Sequence, residues 1–192
     1  MRRSFLLYIV VFAGIVLAGA SIYFGAILPF AKAKHYIAAE RNLRQVRSVP
    51  EFIANFERAA RTPSPVGDEE IAKFLGGKIL DVVTSLDLPE KDSRTLVEYA
   101  DEMLFKDEVR HLMLSGHLYK TMWEKFGSEA YYSLAETRFK AAHEIGPKLP
   151  TPLYALYTLY AAAGDEAGAA LFQGKIEALW PEVKEVSGYF GG

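Results

Sequence analysis

Cysteine is absent from all 192 residues, which excludes a disulfide framework and a thiolate zinc site. An excess of charge is absent too: 22 Lys and Arg stand against 24 Asp and Glu, a formal net charge of −2. A general nucleic-acid binder would be clearly basic, so no nucleic-acid partner is expected. Period-two alternation bounded by turns is missing, so no strand is expected. Without strands there is no Gly-rich phosphate loop after a strand and no nucleophile elbow. The four histidines, His35, His111, His117 and His143, do not fill the gap. His111 and His117 fall on different faces of one helix, a poor arrangement for a shared metal. His143 stands beside Glu144, and adjacent helical residues do not face each other. The acidic clusters Asp68-Glu69-Glu70 and Asp101-Glu102 fall where helix capping or solvation accounts for them. No catalytic residue, cofactor or metal is therefore expected, and the chain reads as non-enzymatic.

What is present is a long apolar run. After Met1-Arg2-Arg3 the chain reads FLLYIVVFAGIVLAGASIYFGAILPF from Phe5 to Phe30 with no charged residue. A bilayer core about 30 Å thick needs about 20 apolar helical residues, so this run is long enough to cross. Tyr8 and Tyr23 lie near its ends, where interfacial aromatics are common. Ala18-Gly19-Ala20 also fits the cleavage site of a signal peptide, which would leave a mature chain starting near Ser21. However, the apolar character continues past that point to Leu28, which favours an uncleaved anchor. Two orientation signals conflict. Lys32, Lys34, Arg41, Arg44 and Arg47 after the run would hold the C-terminal domain in the cytoplasm. The short basic head is how signal anchors begin, and it places the C-terminal domain outside. We follow the second signal.

The expected organisation is a transmembrane anchor at 1–30, a basic juxtamembrane helix at 31–48, a helical prelude at 49–105, two repeats at 106–182 and a tail at 183–192. Pro29 marks the end of the anchor. The following helix, with Ala33, Ile37, Ala38 and Leu43 among basic residues, either lies on the headgroups or is solvated. Pro50 suits the first turn of a next helix bearing Phe52, Ile53, Phe56 and Ala59-Ala60. Arg61-Thr62-Pro63-Ser64-Pro65-Val66-Gly67 is a turn-rich break, after which Asp68 is placed to cap a helix to about Ser85. Gly76-Gly77 is expected to loosen that helix or mark a close crossing. Ser93 begins a further helix through Phe105, and Asp107 is the expected cap of the next. Breaks follow at Gly127-Ser128, at 146–150 and at Gly164-Asp165. Short loops between amphipathic helices imply antiparallel neighbours. The fold class is all-α.

In the last third, Leu153, Leu156, Tyr160, Gly164-Asp165, Ala169 and Pro181 stand where a tetratricopeptide repeat has its packing residues, turn, small residue and closing proline. Gln173 and Ile176 depart from the pattern, where an aromatic and an alanine are usual. The preceding unit supplies Leu112, Gly116 and Tyr119 for a first helix, and Ala135, Phe139, Ala142 and Pro147 for a second. Between the two the chain is about seven residues longer than the repeat wants, at 121–132, which requires longer helices or an extended loop. Phe56-Glu57-Arg58-Ala59-Ala60 has the look of a third, degenerate second helix. The chain thus resembles tetratricopeptide-repeat proteins over 107–182, and more faintly over 49–105.

The order of features carries a second resemblance. A membrane helix, an Ile-Leu-Pro exit, a basic helix, Phe56-Glu57-Arg58-Ala59-Ala60, then Ser64-Pro65-Val66-Gly67-Asp68-Glu69-Glu70-Ile71 and repeats resemble the C-terminal tail of O-antigen ligase/polymerase-like membrane proteins. Those proteins carry a polytopic catalytic domain that handles lipid-linked glycans. It is missing here, so the resemblance brings no catalytic residue. It implies a detached or accessory tail whose partner is a polytopic membrane protein.

By the repeat register, Arg110, Met113, His117 and Lys120 of one unit and Tyr154 and Thr158 of the next face a concave groove. Positive charge beside aromatic and soft apolar area suits a peptide with acidic groups or a carboxylate end. Trp123, Phe126, Tyr131 and Tyr132 read as packing at the insertion. The expected partners are a protein or peptide and the lipid bilayer. Two repeats bury little on their own, so self-association or docking on a membrane partner would complete them.

Overall fold

The computed structural model describes residues 2–181, with side chains from residue 7. The tail expected at 183–192 lies outside the described residues. Among the described residues every regular element is helical. The chain divides into two compact units, Met1–Ala72 and Lys73–Gly192.

The first unit begins with α1, Arg2–Ile22, whose 21 residues span about 32 Å, enough for a bilayer core. Leu7, Phe12, Ile15 and Leu17 are all more than half exposed, so no described part of the chain covers this helix. Helical structure continues through Pro29. A π turn over Tyr23–Ile27 leads directly into α2, Leu28–Asn42. The cause is steric: the Pro29 ring opposes the carbonyl four residues back, at Gly25, and the wide turn relieves that clash without breaking the helix. From Leu7 to Gln45 the chain is one continuous helical run.

After the bend at 46–48, α3, Val49–Arg61, folds back antiparallel on α2. Ser48 caps it through the Glu51 amide, while the Glu51 carboxylate accepts from the Arg47 amide. Pro50 occupies the first turn as expected. Phe52, Phe56, Ala59 and Ala39 are buried in the seam. The Tyr36 and Phe52 rings lie 5.6 and 5.1 Å from Phe56, and Asn55 Nδ2 donates to the Ala39 carbonyl at 2.7 Å. The degenerate second-helix pattern at 56–60 therefore sits on a helix whose partner is α2.

Lys32 departs from both readings of the basic juxtamembrane stretch, headgroup contact and solvation. It is 2% exposed. Its ammonium donates to the Thr62 carbonyl at 2.9 Å and the Ala60 carbonyl at 3.3 Å, and pairs with Asp68. Those carbonyls stand at the C-terminal end of α3, where the helical ladder supplies them no donor and the negative end of the helix dipole lies. Asp68 thus spends its carboxylate on Lys32, in the first turn of α4, Asp68–Ser85.

In the second unit α4 runs through Gly76-Gly77 without a break. A Cβ on Gly76 would stand 2.7 Å from Leu114 Cδ2, so this glycine marks a close crossing, whereas Gly77 faces open space. Lys125 closes the end of α4 by donating to the Val83 and Leu86 carbonyls at 2.8 and 2.7 Å. Helix α5, Glu90–Met103, starts before Ser93 because Pro89 sets its entry and accepts from the Asp92 and Ser93 amides, which leaves Ser93 buried inside. The cap of α6, Val109–Phe126, is Glu108 rather than Asp107: its carboxylate accepts from the Arg110 and His111 amides.

α6 turns at left-handed Gly127 into α7, Glu129–Ile145, and the two pack along their length. At 18 and 17 residues they absorb the extra length as longer helices, not as a loop. α8, Pro150–Ala162, turns at left-handed Gly164 into α9, Glu166–Leu179, with Asp165 capping through the Gly168 amide. α7 also packs on α8, and α6 touches α8. Each pair is seamed by a glycine under an aromatic ring: Gly116 under Phe139, and Gly168 under Tyr160. Tyr160 in turn stacks on Phe172 at 5.5 Å, so the aromatic missing at Gln173 is supplied one position earlier.

Glycine substitutions separate these roles. Gly116→Ala drives a Cβ into the Phe139 ring and should cost about 1–3 kcal/mol in denaturant unfolding of the full chain in detergent. Gly77→Ala, in open space on a helix, should gain about 0.5–1 kcal/mol. Equal effects at the two positions would refute the close-seam assignment.

Candidate functional site

The strip expected to face a groove lies on α6 and α8, which touch. Arg110, Met113, His117 and Lys120 share one face of α6 by their three- and four-residue spacing. Arg110 and His117 are exposed, and Met113 and Lys120 partly so. Tyr154 and Thr158 are half-buried on α8, and Thr158 spends its hydroxyl on the Ala155 carbonyl at 3.0 Å. The two cations are partly neutralised within their own helix. Arg110 Nε lies 3.2 Å from Glu108, and the Lys120 ammonium pairs with Glu124 one turn on. The strip is therefore less positive than its arginine and lysine alone suggest. His117 keeps one edge in solvent while its ring meets Phe139 at 5.1 Å. Desolvation of that ring, then the Lys120 charge, holds its pKa below the usual value. His111, in contrast, is buried with Nδ1 accepting from the Phe105 amide at 3.0 Å, so the two histidines do lie on different faces.

The aromatics at the α6–α7 turn pack as expected. Trp123 meets Tyr132 edge-on at 5.3 Å, and Tyr131 is buried with its hydroxyl donating to Glu90 at 2.9 Å.

Asp101 is neither a cap nor a solvated acid, contrary to the sequence reading. It joins three helices. Its carboxylate accepts from Ser115 on α6, from Arg138 Nη2 on α7 at 2.8 Å, and from Lys106 just past the end of α5. Arg138 Nε also donates to Ser115 Oγ at 3.1 Å, so one guanidinium edge spans both partners. Burial alone would raise the Asp101 pKa. The hydrogen bonds from Lys106 and Ser115 and the charges of Lys106 and Arg138 win, holding the carboxyl below its usual range. One carboxylate thus serves two cations. Lys106, whose pKa falls below the usual amine value through burial and the Arg138 charge despite Asp101, is the weaker partner. Burial, then the Asp101 charge, lifts the nearby Tyr119 hydroxyl to about 12. Chemically this is a satisfied tie: Ser115 is fully buried with its hydroxyl committed to Asp101. A second tie joins α7 to α8, where Glu136 accepts from Tyr160 and from Lys140. Partners up to 37 residues apart leave no local sequence pattern, so neither tie is legible in the sequence.

In the first unit His35, Ala54, Glu57, Arg58, Arg61, Thr62 and Pro63 line an open hollow. Thr62 Oγ1 donates to the Arg58 carbonyl at 2.6 Å, which leaves the oxygen to accept from His35 Nδ1–H at 2.8 Å and fixes the imidazole's orientation. Arg61 pairs with Glu57 on the helix surface, and Arg58 is exposed beside it.

No protein family, curated protein or solved structure matches this chain.

The Asp101 tie has a pH signature. A carboxyl whose folded pKa lies below its unfolded value of about 3.9 adds stability that is fully present above that value and lost as pH falls through the folded pKa. Asp101→Asn should therefore cost about 2 kcal/mol at pH 7. It should also flatten the decline in stability below about pH 5, to which Glu108 and Glu136 contribute as well among the described residues, because their pKa values are also lowered. Denaturant titrations from pH 7 to 2.5 measure both; an unchanged acid limb would remove the tie from the account.

Proposed function

We propose that this chain is a membrane-anchored, tetratricopeptide-like module that captures a protein or peptide partner and performs no catalysis of its own. Its setting is cell-envelope or surface-glycan assembly, with the module outside the cytoplasm. The observation that carries the reading is the pairing of an uncovered apolar helix, long enough to cross a bilayer, with a run of glycine-seamed helix pairs. Contacts of α6 with α7, α7 with α8, α8 with α9, and α6 with α8 are the neighbours a stacked-repeat arrangement uses. The strip on α6 and α8 is the proposed capture surface. Tethering confines it to the membrane plane and raises its effective concentration for partners there.

A narrower form of the reading makes the chain an accessory tail for a polytopic O-antigen ligase/polymerase-like enzyme. The exposed sides of α1 favour it, because a helix left bare by its own chain has area for other membrane helices. A secreted, soluble module starting near Ser21 is the competing form.

Affinity capture from native membranes with the tagged full chain as bait tests these readings together. An intact bait N-terminus with a polytopic partner supports the accessory form. A bait starting near Ser21 with soluble partners supports the secreted form. Neutralising the strip with Arg110→Gln and Lys120→Gln should lower partner recovery several-fold while circular dichroism stays unchanged. Unchanged recovery would show that the strip is not the capture surface.

A further inference from the structure

The fold-back of α3 rearranges which basic residues stand near the bilayer. Phe30 is the last residue of the apolar run, and from there α2 climbs about 1.5 Å per residue along its axis. Lys32 and His35 therefore stand about 3 and 8 Å beyond Phe30, within the headgroup layer of roughly 5–8 Å. Arg41 and Arg44, which the sequence alone groups with the anchor, are carried about 17 and 21 Å out, past the headgroups. Meanwhile Thr62 is pinned level with Lys32 and His35 by three hydrogen bonds: two from Lys32 to α3's end, and one between His35 and Thr62. Arg58 and Arg61, far from the anchor in sequence, are thereby returned to headgroup depth. Both are exposed, three apart on one face of α3, and both line the open hollow with His35.

We propose that this hollow takes the phosphate of an anionic lipid headgroup, held between the Arg58 and Arg61 guanidiniums. The proposal rests on α1 crossing the bilayer. Guanidinium presents forked N–H donors that match phosphate oxygens, and it loses little hydration in doing so. Arg61 is already paired with Glu57, so this carboxylate is an internal competitor for the lipid. The site therefore has an opposing pair of handles: removing the arginines weakens lipid binding, and removing Glu57 strengthens it.

The test uses the full chain reconstituted in phosphatidylcholine vesicles carrying a trace of nitroxide-labelled phosphatidylglycerol or phosphatidylcholine. The motionally restricted fraction of each tracer gives their relative association with the protein. Wild type should prefer the anionic tracer. The preference should fall about fivefold for each arginine removed in R58Q/R61Q. It should be only partly restored in R58K/R61K, because an ammonium supplies the charge without the fork, rise in E57Q, and stay unchanged in R41Q/R44Q. The proposal is overturned if R58Q/R61Q keeps the preference, if R41Q/R44Q abolishes it, or if E57Q lowers it. Calorimetry of the detergent-solubilised chain with inorganic phosphate separates the phosphate's source. Tight binding there, lost in R58Q/R61Q, would assign the hollow to a soluble phosphate and overturn the lipid assignment. Alkaline extraction separates the premise from the proposal. Release of wild type from the vesicles refutes the membrane crossing, whereas retention without tracer preference refutes the lipid site alone.

Discussion

The Lys32 ammonium, enclosed where the apolar helix ends, is the interaction on which the first unit depends. Taking an ammonium out of water costs several kcal/mol unless its donors are used. Here they meet two carbonyls of the last α3 turn and the Asp68 carboxylate. The same contact solves two problems: it neutralises a buried cation, and it satisfies helix-end carbonyls that have no partner within α3. It also sets geometry. With Thr62 level with Lys32, the α2–α3 pair is a stiff return loop, so the chain comes back to the level at which its apolar segment ended.

The second unit is held by a different arrangement. Its seams rely on close approach, with Gly116 and Gly168 leaving room for Phe139 and Tyr160. Between seams, half-buried carboxylates tie neighbouring helices: Asp101 joins α5, α6 and α7, and Glu136 joins α7 to α8. Apolar seams set how near the helices come, while directional hydrogen bonds from fixed donors select one register along them. The strip on α6 and α8 is carried on this framework. Its own charges are partly met within α6, so what it presents is a mixed surface in which soft and aromatic area matters as much as charge.

Much of this was legible in the sequence because it is local. The apolar run needs only length, the turn glycines Gly127 and Gly164 need only their left-handed conformation, and the small-to-aromatic spacing of Ala135 and Phe139 repeats at one helical period. The errors have physical causes. That the helix runs on through Pro29 has no local signature, because a π turn must make room for its ring. The cap moved from Asp107 to Glu108 because the longer side chain reaches two amides. The pairings of Lys32 and Asp101 are not legible, because their partners lie far along the chain and carry no periodic signature. The hollow beside α2 is not legible for the same reason: Arg58 and Arg61 approach the end of the apolar run only once α3 folds back.

The most direct test of this account is the depth of the returning chain. Because the protein has no cysteine, single spin labels can be placed at Ala33→Cys on α2, Pro63→Cys past α3 and Ser48→Cys at the bend, all exposed positions. Electron paramagnetic resonance of the full chain in phospholipid nanodiscs, comparing collision with oxygen and with a water-soluble nickel chelate, reads depth at each. A label at Pro63 is expected to match one at Ala33 at the headgroup level, with one at Ser48 far more accessible from water. A Pro63 label as water-accessible as Ser48 would mean that α3 does not return, and would contradict the account at its centre.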